Sequence, residues 1–220
     1  MTLTDAMVEF VVTATPPEAA LRQADTRLEA LDAALWRSGA TVESAHPGGA
    51  PTAMNQAWRV ALGVTGADAD GWPVIEATVF ALQQGSFSEL EAADAVAVGT
   101  AVAEWTSKAL ATGAEGWSTR GIAGAIGAGV AAARLLGLDE AGVRNVVGLC
   151  ATQAAGLRSA EGSEAGTVQA AKAAADAVEA VTLARHGFTS SADGLGGRRG
   201  LFALLAPGVT PRPDFGWTQT

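Results

Sequence analysis

A chain of 220 residues, 49% of them hydrophobic, is long enough for one domain with a buried core and too apolar to remain disordered. Its net charge of −9, from 14 basic and 23 acidic side chains, argues against the cationic face that nucleic acid or an anionic lipid surface requires. One cysteine, Cys150, excludes an internal disulfide and a thiolate zinc site, and the two histidines, His46 and His186, form no metal-binding pair.

Residues 1–16 hold two acids before Phe10 and no basic stretch, unlike a secretion signal, and read as a flexible or docking segment. Leu21, Leu28, Leu31 and Leu35 recur at helical spacing and predict a helix over 17–38, ended by Gly39. A loop is expected over 41–52, a helix over 54–62 and a turn over 65–73. Residues 74–84 fit either a helix or a buried strand. Ser88 and Glu91 have the capping-box spacing and open a long apolar helix toward Ala111. After a linker over 113–121, the Ala/Gly-rich run 122–136 predicts a central helix with neighbours on every side, since small side chains let backbones approach. Asp139 starts the next helix, to Ala155, and 156–166 reads as a polar loop. A further Ala-rich helix spans 167–186 and Gly187 closes it. A loop and a short helix follow, and 209–220 forms a tail. No run reaches the roughly 18 apolar residues of a membrane span. The expectation is a single all-α domain, a compact Ala/Gly-rich bundle in the reducing cytoplasm.

Three blocks, in order, carry a resemblance. They are AVAVGTAVAEW (95–105), WSTRGIAGAIGAGVAAARLLGLDEAGVRNVVGLCATQAAGL (117–157) and GSEAGTVQAAKAAADAVEAVTLARHGFTSSADGLGGRRGLF (162–202). Together they resemble the MmgE/PrpD family, which includes 2-methylcitrate dehydratase, cis-aconitate decarboxylase and iminodisuccinate epimerase. The resemblance implies the family's helical domain without its α/β lid, which would begin near Phe215–Trp217. It also implies assembly as a homodimer through that domain.

Family members remove water or carbon dioxide from polycarboxylates, or move a proton beside a carboxylate, and this needs a base and cations. The histidine of the family's FHPT segment falls here on Ser118, the lysine of its K.LHAG segment on Gly166, and that segment's histidine on Gln169. The expected function is a lidless, repurposed lyase or isomerase (dehydration, decarboxylation, epimerisation or cyclisation) acting without a cofactor. Its substrate would be a small polar or carboxylate-bearing molecule, in a setting such as secondary metabolism. Lys172 or His46 would be the base, and Trp117, Ser118, Thr119, Arg120, Arg158 and Glu161 would hold the substrate. The alternative is a non-catalytic helical partner or dimerisation subunit. Lys172 has a plainer reading, with its stem along alanines and its head in water. His186 reads as a helix-end cap, Cys150 as core, and Arg198 and Arg199 as structural side chains bonded to carbonyls or carboxylates.

Overall fold

A computed structural model describes residues 1–38, 52–64, 73–83 and 87–217. Among them the chain is all-α. Its helices are α1 (Leu3–Thr13), α2 (Glu18–Ser38), α3 (Ala53–Val64), α4 (Val74–Gln83), α5 (Glu89–Leu110), α6 (Thr119–Leu135), α7 (Glu140–Gln153), α8 (Glu164–Arg185) and α9 (Leu201–Leu205). A 3-10 turn, Arg158–Ala160, joins α7 to α8. The loop expected over 41–52 and the turn expected over 65–73 fall almost wholly outside the described residues.

Side-chain caps set several of the helix starts. The predicted box at Ser88 and Glu91 forms in both directions and opens α5. Asp139 accepts from the Gly142 amide and opens α7. Ser118 accepts from the Gly121 amide, so α6 begins a turn earlier than the apolar run suggests. Likewise α8 begins at Glu164 rather than Thr167. The end of α8 matches expectation: Gly187 takes φ +83°, and Phe188 and Gly187 donate to the carbonyls of Leu183 and Ala184. His186 sits there with Nδ1 2.8 Å from the Thr182 carbonyl.

Helix α6 lies at the centre, against α5, α8, α4 and α7. Its faces feed two adjoining cores. Ile122, Ile126 and Val130 meet Met7, Phe10, Val102, Val146 and Phe202 on one side. Ala125, Ala128, Ala131 and Leu135 meet Val74, Val79, Val96 and Val178 on the other. The crossing of α5 with α6 is a backbone contact. A Cβ on Gly99 would lie 2.6 Å from the Gly127 carbonyl oxygen, and one on Gly127 would lie 2.6 Å from that of Gly99. Residues 74–84, ambiguous as a sequence, are helical to Gln83, with every side chain from Val74 to Val79 buried.

The first segment folds as α1, opened by a capping box between Thr2 and Asp5. Met7, Val8, Phe10 and Val11 enter the core. Arg144 of α7 holds Asp5 at 2.6 Å. Arg134 of α6 grips the far end of α1, donating to the carbonyls of Val11, Val12 and Ala14 while pairing with Asp94 of α5. The tail closes over the same region: Phe215 stacks on Phe10 at 4.4 Å, and Trp105 Nε1 donates to the Arg212 carbonyl at 2.7 Å. In the second core, Arg27 of α2 pairs with Glu76 of α4, whose carboxylate is almost fully buried.

Candidate functional site

Four of the sequence-derived residues meet where the loop before α6 crosses the loop after α7. Trp117 and Leu157 form an antiparallel bridge, with the Ser118 amide donating to Gly156 at 3.0 Å and the Arg158 amide to Gly116 at 3.2 Å. Ser118 is fully buried, and its hydroxyl donates to Glu161 Oε1 at 2.7 Å while capping α6. Gln169 reaches in from α8 and donates to the Leu157 carbonyl at 3.2 Å. Its own Oε1 is buried with no hydrogen-bond partner and lies 2.2 Å from where a Cβ on Gly156 would stand. A Cβ on Gly166 would lie 2.8 Å from the Ala160 carbonyl oxygen, so the backbone of α8 packs directly on the 3-10 turn.

The three positions where the resemblance implies His, Lys and His therefore gather around one pair of tied loops. Thr119 and Arg120 follow Ser118 into the first turn of α6, Arg120 exposed. Lys172 stands further along α8, exposed and ion-paired with Asp176. Burial pushes the Asp176 carboxyl above the usual carboxylate range, and the Lys172 ammonium opposes that shift. His46 lies outside the described residues.

Beyond Trp117, on the side of α7 and α9, opens a cleft of about 870 Å³. Its walls come from Trp117, from Ala151 and Ala154 of α7, and from Leu201, Leu204 and Leu205 of α9. Gly148 and Gly194 also line it, packed so closely that a Cβ on Gly194 would lie 3.1 Å from the Gly148 Cα, as do Arg198 and Arg199. These two arginines correct the sequence reading: among the described residues neither makes the carbonyl or carboxylate bond expected of a structural side chain. Cys150 on α7 is fully buried and its thiol is pushed up to about 12, chiefly by loss of solvent, which suits a packing residue. No local pattern announces the cleft, because its parts come from positions near 117, 148–154 and 193–205 that only the tertiary fold brings together.

Among the described residues no group of three or more His, Cys, Asp or Glu side chains could hold a metal ion. No described helix is long and apolar enough to cross a membrane. A search of curated proteins finds no match. The family model for the MmgE/PrpD N-terminal domain matches residues 13–214, which takes in α2 to α9 and the two tied loops. With nearly the whole sequence matched and helices as the regular elements of the described residues, the chain belongs to the MmgE/PrpD family through its N-terminal helical domain.

Proposed function

We propose that this domain is a non-catalytic helical partner of the MmgE/PrpD type, assembling as the homodimer that the resemblance implies. One observation carries the reading. The positions matching the family's proton-transfer residues hold Ser118, Gly166 and Gln169, and each is engaged in holding the fold together. None of the three side chains exchanges a proton near neutral pH.

A second reading is a repurposed lyase or isomerase with Lys172 or His46 as base. In it Trp117, Ser118, Thr119, Arg120, Arg158 and Glu161 surround a small polar or carboxylate-bearing substrate. It draws support from Glu161, a carboxylate 2.7 Å from the Ser118 hydroxyl in the corner that Trp117 and Arg158 also border. The two readings separate by proton exchange. The full chain is incubated in D2O with citrate, 2-methylcitrate or aspartate, and deuterium at the carbon beside the carboxylate is followed by NMR. The non-catalytic reading expects the buffer rate, with Lys172→Ala and His46→Ala indistinguishable from wild type. Exchange above buffer that drops at least tenfold in either variant would overturn it.

A further inference from the structure

The cleft behind Trp117 brings two arginines and a set of apolar side chains to one cavity. Arg198 and Arg199 are consecutive, exposed, and without an ion pair or hydrogen bond among the described residues. Elsewhere Arg22, Arg27, Arg134 and Arg144 each face a carboxylate of the same chain. The acid in the cleft wall, Asp193, pairs with neither of them: its Oδ1 accepts from the Thr4 hydroxyl at 2.7 Å and the Gly196 amide at 2.9 Å. Both arginines therefore line the cavity with no partner for their donors among the described residues. A planar guanidinium suits a carboxylate or phosphate, each of which can take a bidentate pair of N–H bonds.

The remaining wall is apolar. Trp117 is 40% exposed and Leu204 is 71% exposed, both on this cleft, so large hydrophobic side chains are left facing water beside the arginines. A volume of about 870 Å³ falls within the range of small-molecule sites and exceeds what one small anion fills. The chain's overall negative charge does not cancel the local pair, because charges are screened over about 8 Å at physiological salt.

We infer that this cleft binds an amphipathic organic anion. The anionic head, carboxylate or phosphate, rests on Arg198 and Arg199, and an apolar body lies along Trp117, Leu201, Leu204 and Leu205. This differs in kind from a compact polycarboxylate, whose several charges would leave the leucine and tryptophan wall wet. It stands whether or not the domain transfers protons, because it uses none of the residues at the tied loops except Trp117.

Isothermal titration of the full chain with octanoate tests it, beside octyl phosphate, 1-octanol and citrate. Octanoate or octyl phosphate should bind at least tenfold tighter than either 1-octanol or citrate, and the tighter of the two identifies the head group. The variant Arg198→Ala/Arg199→Ala should weaken that binding at least tenfold. Leu204→Asp should do the same through the other end of the ligand. Arg185→Ala/Arg212→Ala, which removes two exposed arginines elsewhere, should bind like wild type. Thermal melts of each variant confirm that the protein remains folded. The proposal fails if neither amphipath binds, if the alcohol or citrate binds as well, or if the Arg198/Arg199 variant folds and binds unchanged. It fails equally if Leu204→Asp splits an oligomer while wild type ignores every ligand, since a second copy then occupies the cleft.

Discussion

Removing the guanidinium of Arg134 while keeping its stem, as in Arg134→Met, isolates the joint that fastens α1. In the folded chain this group makes five hydrogen bonds: to Asp94 at 2.7 and 3.1 Å, to Val11 and Ala14 at 2.8 Å each, and to Val12 at 3.1 Å. The variant leaves the Asp94 carboxylate without its cation and three carbonyls without a donor. Breaking one side of a buried charged pair costs about 3–5 kcal/mol. The pair here is 21% and 27% exposed, so water recovers part of the loss, and about 3 kcal/mol is the expected value. At roughly 2–4 °C per kcal/mol for a chain of this size, the melting temperature should fall by about 6–12 °C. Urea denaturation should show a lower midpoint at unchanged m-value. Native-state hydrogen exchange should show the α1 amides losing protection ahead of those in α6. A loss under about 1 kcal/mol, or α1 amides as protected as in wild type, would refute the assignment of Arg134 as the fastener.

Gly99→Ala and Gly127→Ala should each destabilise by more than about 2 kcal/mol in the same denaturation assay, because the new methyl meets a backbone oxygen that cannot move aside. Gly116→Ala, with open space around its Cβ, should stay within about 0.5 kcal/mol of wild type. Bonds from Thr2 and Arg144 lower the Asp5 carboxyl from the ordinary 3.8 to about 2. Its contribution to stability is therefore present above pH 4 and lost as pH falls toward 2. The gap in denaturation midpoint between wild type and Asp5→Asn should accordingly close over that window, and a gap that persists at pH 2 would contradict it. Cys150, buried and with its thiol at about 12, should resist iodoacetamide at pH 8 in the folded protein and react once denatured, as mass spectrometry would record.

The parts of the fold that a local pattern specifies are the parts legible beforehand. Ser88 with Glu91, and Gly187, act through neighbours close in sequence, while the leucines of α2 and the small residues of α6 recur at a helical spacing that shows before their tertiary partners are known. Helix α4 was ambiguous because it is buried on nearly all sides, so no polar face survives to reveal its period. The capping box of α1 sits in the first five residues, and its worth depends on Arg134 and Arg144, more than a hundred positions away. At the site, the sequence points to Trp117, Ser118, Arg158 and Glu161, but the bridge and the Ser118–Glu161 bond that join them are tertiary facts. The arginines of the GRRG segment are visible in the sequence but their lack of a partner is not, since pairing with a carboxylate is the commoner fate of arginine and nothing local says that none is in reach.

The packing of Phe215 and Trp217 against Phe10, the first stacked and the second tilted, has a consequence for synthesis on the ribosome. The partners of this aromatic clasp lie about two hundred positions apart in sequence, so this face of Phe10 stays uncovered until the segment that carries Phe215 has been made and has left the exit tunnel. Nascent chains arrested before Phe215 should therefore present a sticky amino-terminal helix to chaperones, and those released a few residues beyond it should not.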